Sequence, residues 1–108
     1  MDDDIGEFAR VFGATPRNRI LEFFLALRTL DYAIGDVARE CSLNRATTYN
    51  TMAELAHEGI VVPSRVVGRT QLYKLNMAKD TVKKLLEVFD LLLAKVADEY
   101  SDELVVEE

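Results

Sequence analysis

Between Ile34 and Ile60 the apolar residues keep one helical register, lose it at Leu43 and Asn44, and resume it in another. No single straight helix accommodates that break. Ile34, Val37, Ala38 and Cys41 mark one face of a short helix that begins near Gly35 and ends near Ser42. Leu43 is an apolar residue in a tight connection of three or four residues, and Asn44 is a strong N-cap type, so a second helix is predicted from Arg45. Along it Thr48, Met52, Leu55 and Ala56 follow the inward repeat, and Gly59 supplies the left-handed residue that stops it. Arg45, Ala46, Thr47, Tyr49, Asn50 and Ala53 are left facing outward.

The segments on either side extend this frame. Residues 60–67 and 70–75 are rich in branched and aromatic side chains and are separated by Gly68 and Arg69, which predicts a hairpin with Arg69 at its tip. Pro63 lacks a ladder donor, so the first strand belongs at a sheet edge or begins near Ser64. Upstream, Ile5, Phe8, Val11 and Phe12 mark a short amphipathic helix within residues 1–14. Thr15 followed by Pro16 then starts a core helix reaching about Leu30, apolar around most of its circumference. Downstream, a helix starting near Asn76 or Asp80 and ending near Tyr100 carries Val82, Leu85, Phe89, Leu92 and Val96 at alternating spacings of three and four, widened by Leu86, Leu93 and Tyr100. A helix of that length spans ~30 Å, more than so small a domain covers, so the stripe is expected to pack against another copy. Residues 101–108 read as an acidic, disordered tail.

Charge is distributed unevenly. The 108 residues carry a formal net charge of -6, with -3 in residues 1–16, -5 in residues 75–108 and +2 in residues 17–74. Arg65, Arg69 and Lys74 fall within one ten-residue stretch, so the basic surface is central and local. Asp2, Asp3 and Asp4 and the acids of residues 98–108 are expected to be solvated termini. The longest purely apolar run, Phe23 to Leu27, is far short of the ~20 residues of a membrane-spanning helix. The acidic opening lacks the basic start of a secretory signal, so a cytoplasmic location is expected. One cysteine, Cys41, and one histidine, His57, make neither an intrachain disulfide nor a four-ligand zinc cage. Cys41 reads as a small buried apolar residue and His57 as a structural or surface one. No Ser/His/Asp group, metal cluster or phosphate-cradling glycine loop is evident, so neither an enzyme nor a cofactor is expected.

From Ile34 to Asn76 the chain reads IGDVARECSLNRATTYNTMAELAHEGIVVPSRVVGRTQLYKLN. With the core helix before it, this order resembles the winged helix-turn-helix family of DNA-binding proteins, and in particular the ArsR- and MarR-type regulators of bacteria and archaea. The resemblance implies a mostly α fold with a small β-hairpin (α+β), with the DNA-binding domain in residues 15–76 and a long dimerisation helix in residues 77–100. It implies a homodimeric regulator that reads double-stranded DNA, the second helix in the major groove and the hairpin as a wing on the backbone or in the minor groove. Arg45 has the donors for guanine O6 and N7, Asn50 the donor and acceptor for adenine, and Ala46 and the Thr47 methyl suit thymine methyl groups. Tyr49 is placed to stack on a sugar or meet a base, or equally to pack over the neighbouring helix. Asn44 caps the helix and, with its N-terminus, suits a phosphate. Arg65 and Arg69 take the wing's contacts, with Arg17, Arg19 and Arg39 as weaker candidates because helix position alone does not say which side they face. Phe8 and Phe12 join Val82, Leu85, Phe89, Leu92 and Val96 in pairing the subunits. The chain departs from the ArsR-type metal sensors, whose paired cysteines or clustered histidines and carboxylates are absent, so metal sensing is not expected. The effector and the operator are not legible. The competing reading is a winged helix used only for protein interaction, with no DNA.

Overall fold

The computed structural model describes residues 6–106, with side-chain surroundings as far as residue 99. The expectations for Asp2, Asp3, Asp4 and Ile5, the side chain of Tyr100, and the end of the acidic tail lie outside the described residues. The elements run α1 (Glu7–Phe12), α2 (Pro16–Ala26), β1 (Asp31–Ala33), α3 (Ile34–Glu40), α4 (Arg45–His57), β2 (Val61–Val67), β3 (Thr70–Leu75) and α5 (Asp80–Val106).

The local signals for ending and starting helices operate as their chemistry requires. Thr15 Oγ1 accepts the Asn18 amide at 3.1 Å, and Pro16 opens α2 where no amide partner is needed. At the end of α3 the Leu43 amide donates to the Ala38 carbonyl (2.9 Å) and the Ser42 amide to the Arg39 carbonyl (3.2 Å). This is the paired closure of a left-handed helix cap, with Ser42 at φ 57° in the position glycine usually takes. The end of α4 repeats it with glycine: Ile60 donates to Leu55 (2.9 Å), Gly59 to Ala56 (3.0 Å), and Gly59 has φ 77°. Gly6, preceding α1, has no capping side chain. Glu22 of α2 serves instead, its carboxylate accepting the Phe8 amide at 3.2 Å, which fastens α1 to α2.

Two elements differ from the sequence reading. Helix α2 stops at Ala26 rather than near Leu30, because Leu27 leaves helical geometry (φ -113°, ψ 49°), and the chain turns into a third strand. The sheet is therefore three-stranded and antiparallel, ordered β1-β3-β2. Tyr32 of β1 pairs with Tyr73 of β3, and its ring meets Phe23 edge-on at 4.9 Å, tying the sheet to α2. The edge position of β2 accommodates Pro63. Helix α5 is also longer than expected: residues 101–106, assigned to the tail, continue it.

Ile20, Phe24 and Leu25 of α2 meet Val37 of α3, Met52 and Leu55 of α4, Val61 and Leu75 of the sheet and Val82 of α5, all buried. At 27 residues α5 is ~40 Å long, and among its described side chains Val82, Leu86 and Phe89 are buried in this core. No helix among the described residues is long and apolar enough to cross a membrane.

Candidate nucleic-acid interface

The expected reading helix is built from its cap. Asn44 Oδ1 accepts the Thr47 amide at 2.7 Å, and Thr48 Oγ1 donates to the Asn44 carbonyl at 2.8 Å, so Thr48 is buried with its hydroxyl satisfied. Thr48, Thr51, Met52 and Leu55 point inward, and Arg45, Ala46, Tyr49, Asn50 and Ala53 are exposed, with Thr47 half-buried. Tyr49 is 50% exposed.

Arg45 and Tyr49 line a groove of about 500 Å³ together with Gly35, Asp36 and Arg39 of α3 and Arg69, Thr70, Gln71 and Tyr73 of the hairpin. The start of α3, the first turns of α4 and the hairpin tip thus open onto one concavity. The Arg45 guanidinium lies against Gly35, 3.5 Å from where a β-carbon would sit, which is ordinary contact distance. Gly68, at φ 63°, makes the two-residue turn that carries Arg69. Asn50, Ala46 and Thr47 are not among the groove's lining residues and continue the exposed face of α4 beside it.

The arginines differ in whether a carboxylate already holds them. Arg17 bridges to Glu58 at 2.6 Å, Arg28 to Asp90 at 2.7 Å, Arg39 to Asp36 at 2.8 Å and Arg65 to Asp31 at 2.9 Å. Arg45 and Arg69 have no ion-pair partner among the described residues. The sequence ranks Arg65 with Arg69, and the structure separates them: Arg65 is tied to β1 by two hydrogen bonds to Asp31, and its guanidinium, followed by the Ser64 hydroxyl, holds the Asp31 carboxyl below its usual range. Arg39 gains standing as a groove residue, although Asp36 shares its charge. Arg17 instead fastens the start of α2 to the end of α4.

The expected pairing residues divide. Phe8, Val82 and Phe89 turn into this chain's own core, where Arg28 lies 6.0 Å over the Phe89 ring; Leu85 and Leu92 are half-buried. Phe12, at 54%, and Val96, at 40%, are exposed, as are Val11 and Leu93. Burial pushes the Cys41 thiol up to about 11, and it donates to the Arg19 carbonyl at 3.8 Å. His57 is exposed in the last turn of α4, and no group of three metal-ligating side chains occurs among the described residues.

No protein-family model matches this sequence and no curated protein resembles it closely enough to count. Solved structures do. The transcriptional regulator HlyU from Vibrio vulnificus CMCP6 superposes with a TM-score of 0.57 at 21% identity, over 76% of this chain and 82% of that one. A possible transcriptional regulator from Methanosarcina mazei Go1 gives 0.55 at 16% identity, over 99% and 88%. A MarR family transcriptional regulator from Silicibacter pomeroyi DSS gives 0.59 at 23%, over 85% and 60%. With the capped helix pair, the hairpin beside it and the long last helix, these likenesses show that the chain has the winged helix-turn-helix fold of MarR- and ArsR-like transcriptional regulators.

Proposed function

We propose that this chain is a homodimeric transcriptional regulator that binds double-stranded DNA by sequence, with α4 in the major groove and the β2–β3 hairpin on the backbone or in the minor groove. The observation that carries the reading is the convergence of Arg45 and Arg69, both without acidic partners, on one groove beside exposed Tyr49, in a chain whose overall charge is -6. Leaving these two cations unpaired at one place while Arg17, Arg28 and Arg65 are held by carboxylates concentrates positive potential where a helix N-terminus already favours an anion. Arg45, in the first turn of α4, reaches base edges, Asn50 follows on the same exposed face, and Arg69 meets phosphate from the wing tip. Asn44, its side-chain oxygen occupied by the cap, orients the helix. The exposed apolar residues of α1 and of α5 beyond Phe89 supply the pairing surface, and twofold pairing sets two reading helices roughly 34 Å apart on a pseudo-palindromic site. No catalytic step, cofactor or metal belongs to this reading.

Selection of bound sequences from a random duplex pool, followed by anisotropy titrations at several salt concentrations, tests it. The expected result is a two-fold-symmetric site. R45A is expected to lose roughly 1–3 kcal/mol of discrimination at one base pair per half-site. R69A is expected to weaken all sequences alike and to lower the salt slope by about 0.9 for each phosphate no longer neutralised. Absence of any enriched sequence, with unchanged weak binding in both variants, replaces this reading by that of a protein-interaction module.

A further inference from the structure

The body of the hairpin holds an arrangement that the DNA reading does not use. Strand pairing shifts between Pro63 and Val66, so Ser64 and Arg65 form a bulge, and Gln71 closes it by donating from Nε2 to the carbonyls of Arg65 (3.1 Å) and Leu72 (2.9 Å). The bulge redirects both side chains across the sheet. Asp31 lies on the opposite edge strand, with β3 between, yet its carboxylate accepts the Ser64 hydroxyl and two bonds from the Arg65 guanidinium, Nε at 2.9 Å and Nη2 at 3.3 Å. Lys74, directly opposite Asp31 in the register, is not its partner. The Asp31 side chain, at 17% exposure, is the most enclosed carboxylate among the ion pairs of the described residues.

A guanidinium gripped by both oxygens of a carboxylate already has the bidentate geometry it would adopt on a DNA phosphate, with its charge cancelled. Resting on the reading of this groove as a DNA-binding surface, we propose that Asp31 sets sequence specificity by holding Arg65 as an internal substitute for phosphate. Arg65 is then neutralised and fixed in orientation, and the groove's uncompensated charge comes from Arg45, which reaches bases, and Arg69 at the tip. Sequence-independent attraction stays low, so the difference between a chosen site and random DNA stays large.

The test measures anisotropy binding of a selected duplex and a random duplex between about 50 and about 200 mM salt, the range over which counterion release is read. Asp31→Asn removes the carboxylate charge and frees Arg65. It is expected to steepen the salt slope by about 0.9, an extra loss of about 3.5-fold across that range, and to tighten random-duplex binding more than selected-duplex binding. Arg65→Gln alone is expected to leave the slope unchanged, and the double variant to return to the wild-type slope. Asp90→Asn, which frees Arg28 from a chemically matched pair between the turn after α2 and α5, controls for added net charge and is expected to change neither quantity. An Asp31→Asn slope that is unchanged or shallower, or an Arg65→Gln slope lowered by about 0.9, overturns the proposal. If Asp31→Asn fails to fold, the Arg65→Gln slope decides alone. A wild-type chain that binds no duplex at low salt removes the DNA reading and this role with it, whereas binding with an insensitive slope removes only the role of Asp31.

Discussion

The apolar stripe of α5 passes from buried to exposed beyond Phe89, and substitutions on either side of that residue are expected to produce different defects. Val82, Leu86 and Phe89 are buried in the subunit, whereas Leu93 is 50% exposed and Val96 40%. The helix continues to Val106, about 25 Å beyond Phe89. The radius of gyration, 15.4 Å, exceeds the ~13 Å of a compact chain of this length, as a protruding helix requires. Phe89→Ala removes a packed ring and is expected to cost ~3–5 kcal/mol of folding stability, a large share of the ~5–15 kcal/mol of a whole domain. Leu93→Ser and Val96→Ser leave that core intact. Burying a half-exposed aliphatic side chain contributes about 1 kcal/mol, roughly half the value for full burial. A twofold interface counts each position twice, so each substitution is expected to cost about 2 kcal/mol of dimerisation, near 30-fold in the dimer dissociation constant. Sedimentation velocity over a dilution series reads the association, and thermal melts at monomeric concentration read the fold. A wild type that remains monomeric at tens of micromolar, or a Val96→Ser that lowers the melt while leaving association untouched, would refute the division.

Other expectations follow from the caps and the buried thiol. Asn44→Ala loses the 2.7 Å bond to the Thr47 amide and is expected to cost ~1 kcal/mol, several degrees of melting temperature, whereas Asn44→Asp keeps the melt but weakens DNA binding by placing an anion where phosphate approaches. Gly59→Ala forces a β-carbon into the φ 77° conformation and is expected to destabilise by ~1–2 kcal/mol, measured by urea unfolding. Because the folded Cys41 thiol titrates near 11 and its unfolded value is 9.0, the folded state holds that proton more tightly. Its contribution to stability is therefore complete below about pH 9 and is lost as pH rises towards 11, and Cys41→Ala is expected to flatten that limb of the pH–stability curve. In the native protein the thiol is expected to resist alkylation at pH 8 and to react only on unfolding.

What the sequence discloses here is what single side chains decide within a few residues of themselves. Thr15, Asn44 and Gly59 end or start helices through their own hydrogen bonds and φ values, and Gly68 with Arg69 makes the hairpin turn, so the helix pair and the wing are legible. Strand β1 is not: three residues, Asp31–Ala33, are too short for alternation to show, and they become a strand only because β3 offers them partners. The heptad spacing of α5 states that a face is apolar but not whose surface covers it, and the short reach of α2 and α1 decides that the first half is covered from within.

The same limit separates Arg65 from Arg69. Both are basic residues on one hairpin, four positions apart, and nothing local distinguishes them. The distinction comes from a bulge that aims one of them across a strand at a carboxylate 34 residues away in sequence, while the turn carries the other, which has no ion-pair partner among the described residues. Net charge is a poor guide for a related reason. Ion pairs from Arg17 to Glu58, from Arg28 to Asp90 and from Arg65 to Asp31 engage arginines at separations of 41, 62 and 34 residues, and this pairing, not the total of -6, determines where positive potential remains. An acidic chain can present a nucleic-acid surface when its carboxylates are folded onto the arginines that must be silent. On that argument, charge reversal at Glu58 or Asp90, which releases a distant arginine, is expected to alter stability more than DNA affinity, and a comparison of the two readouts in Glu58→Lys and Arg45→Glu separates the structural pairs from the reading face.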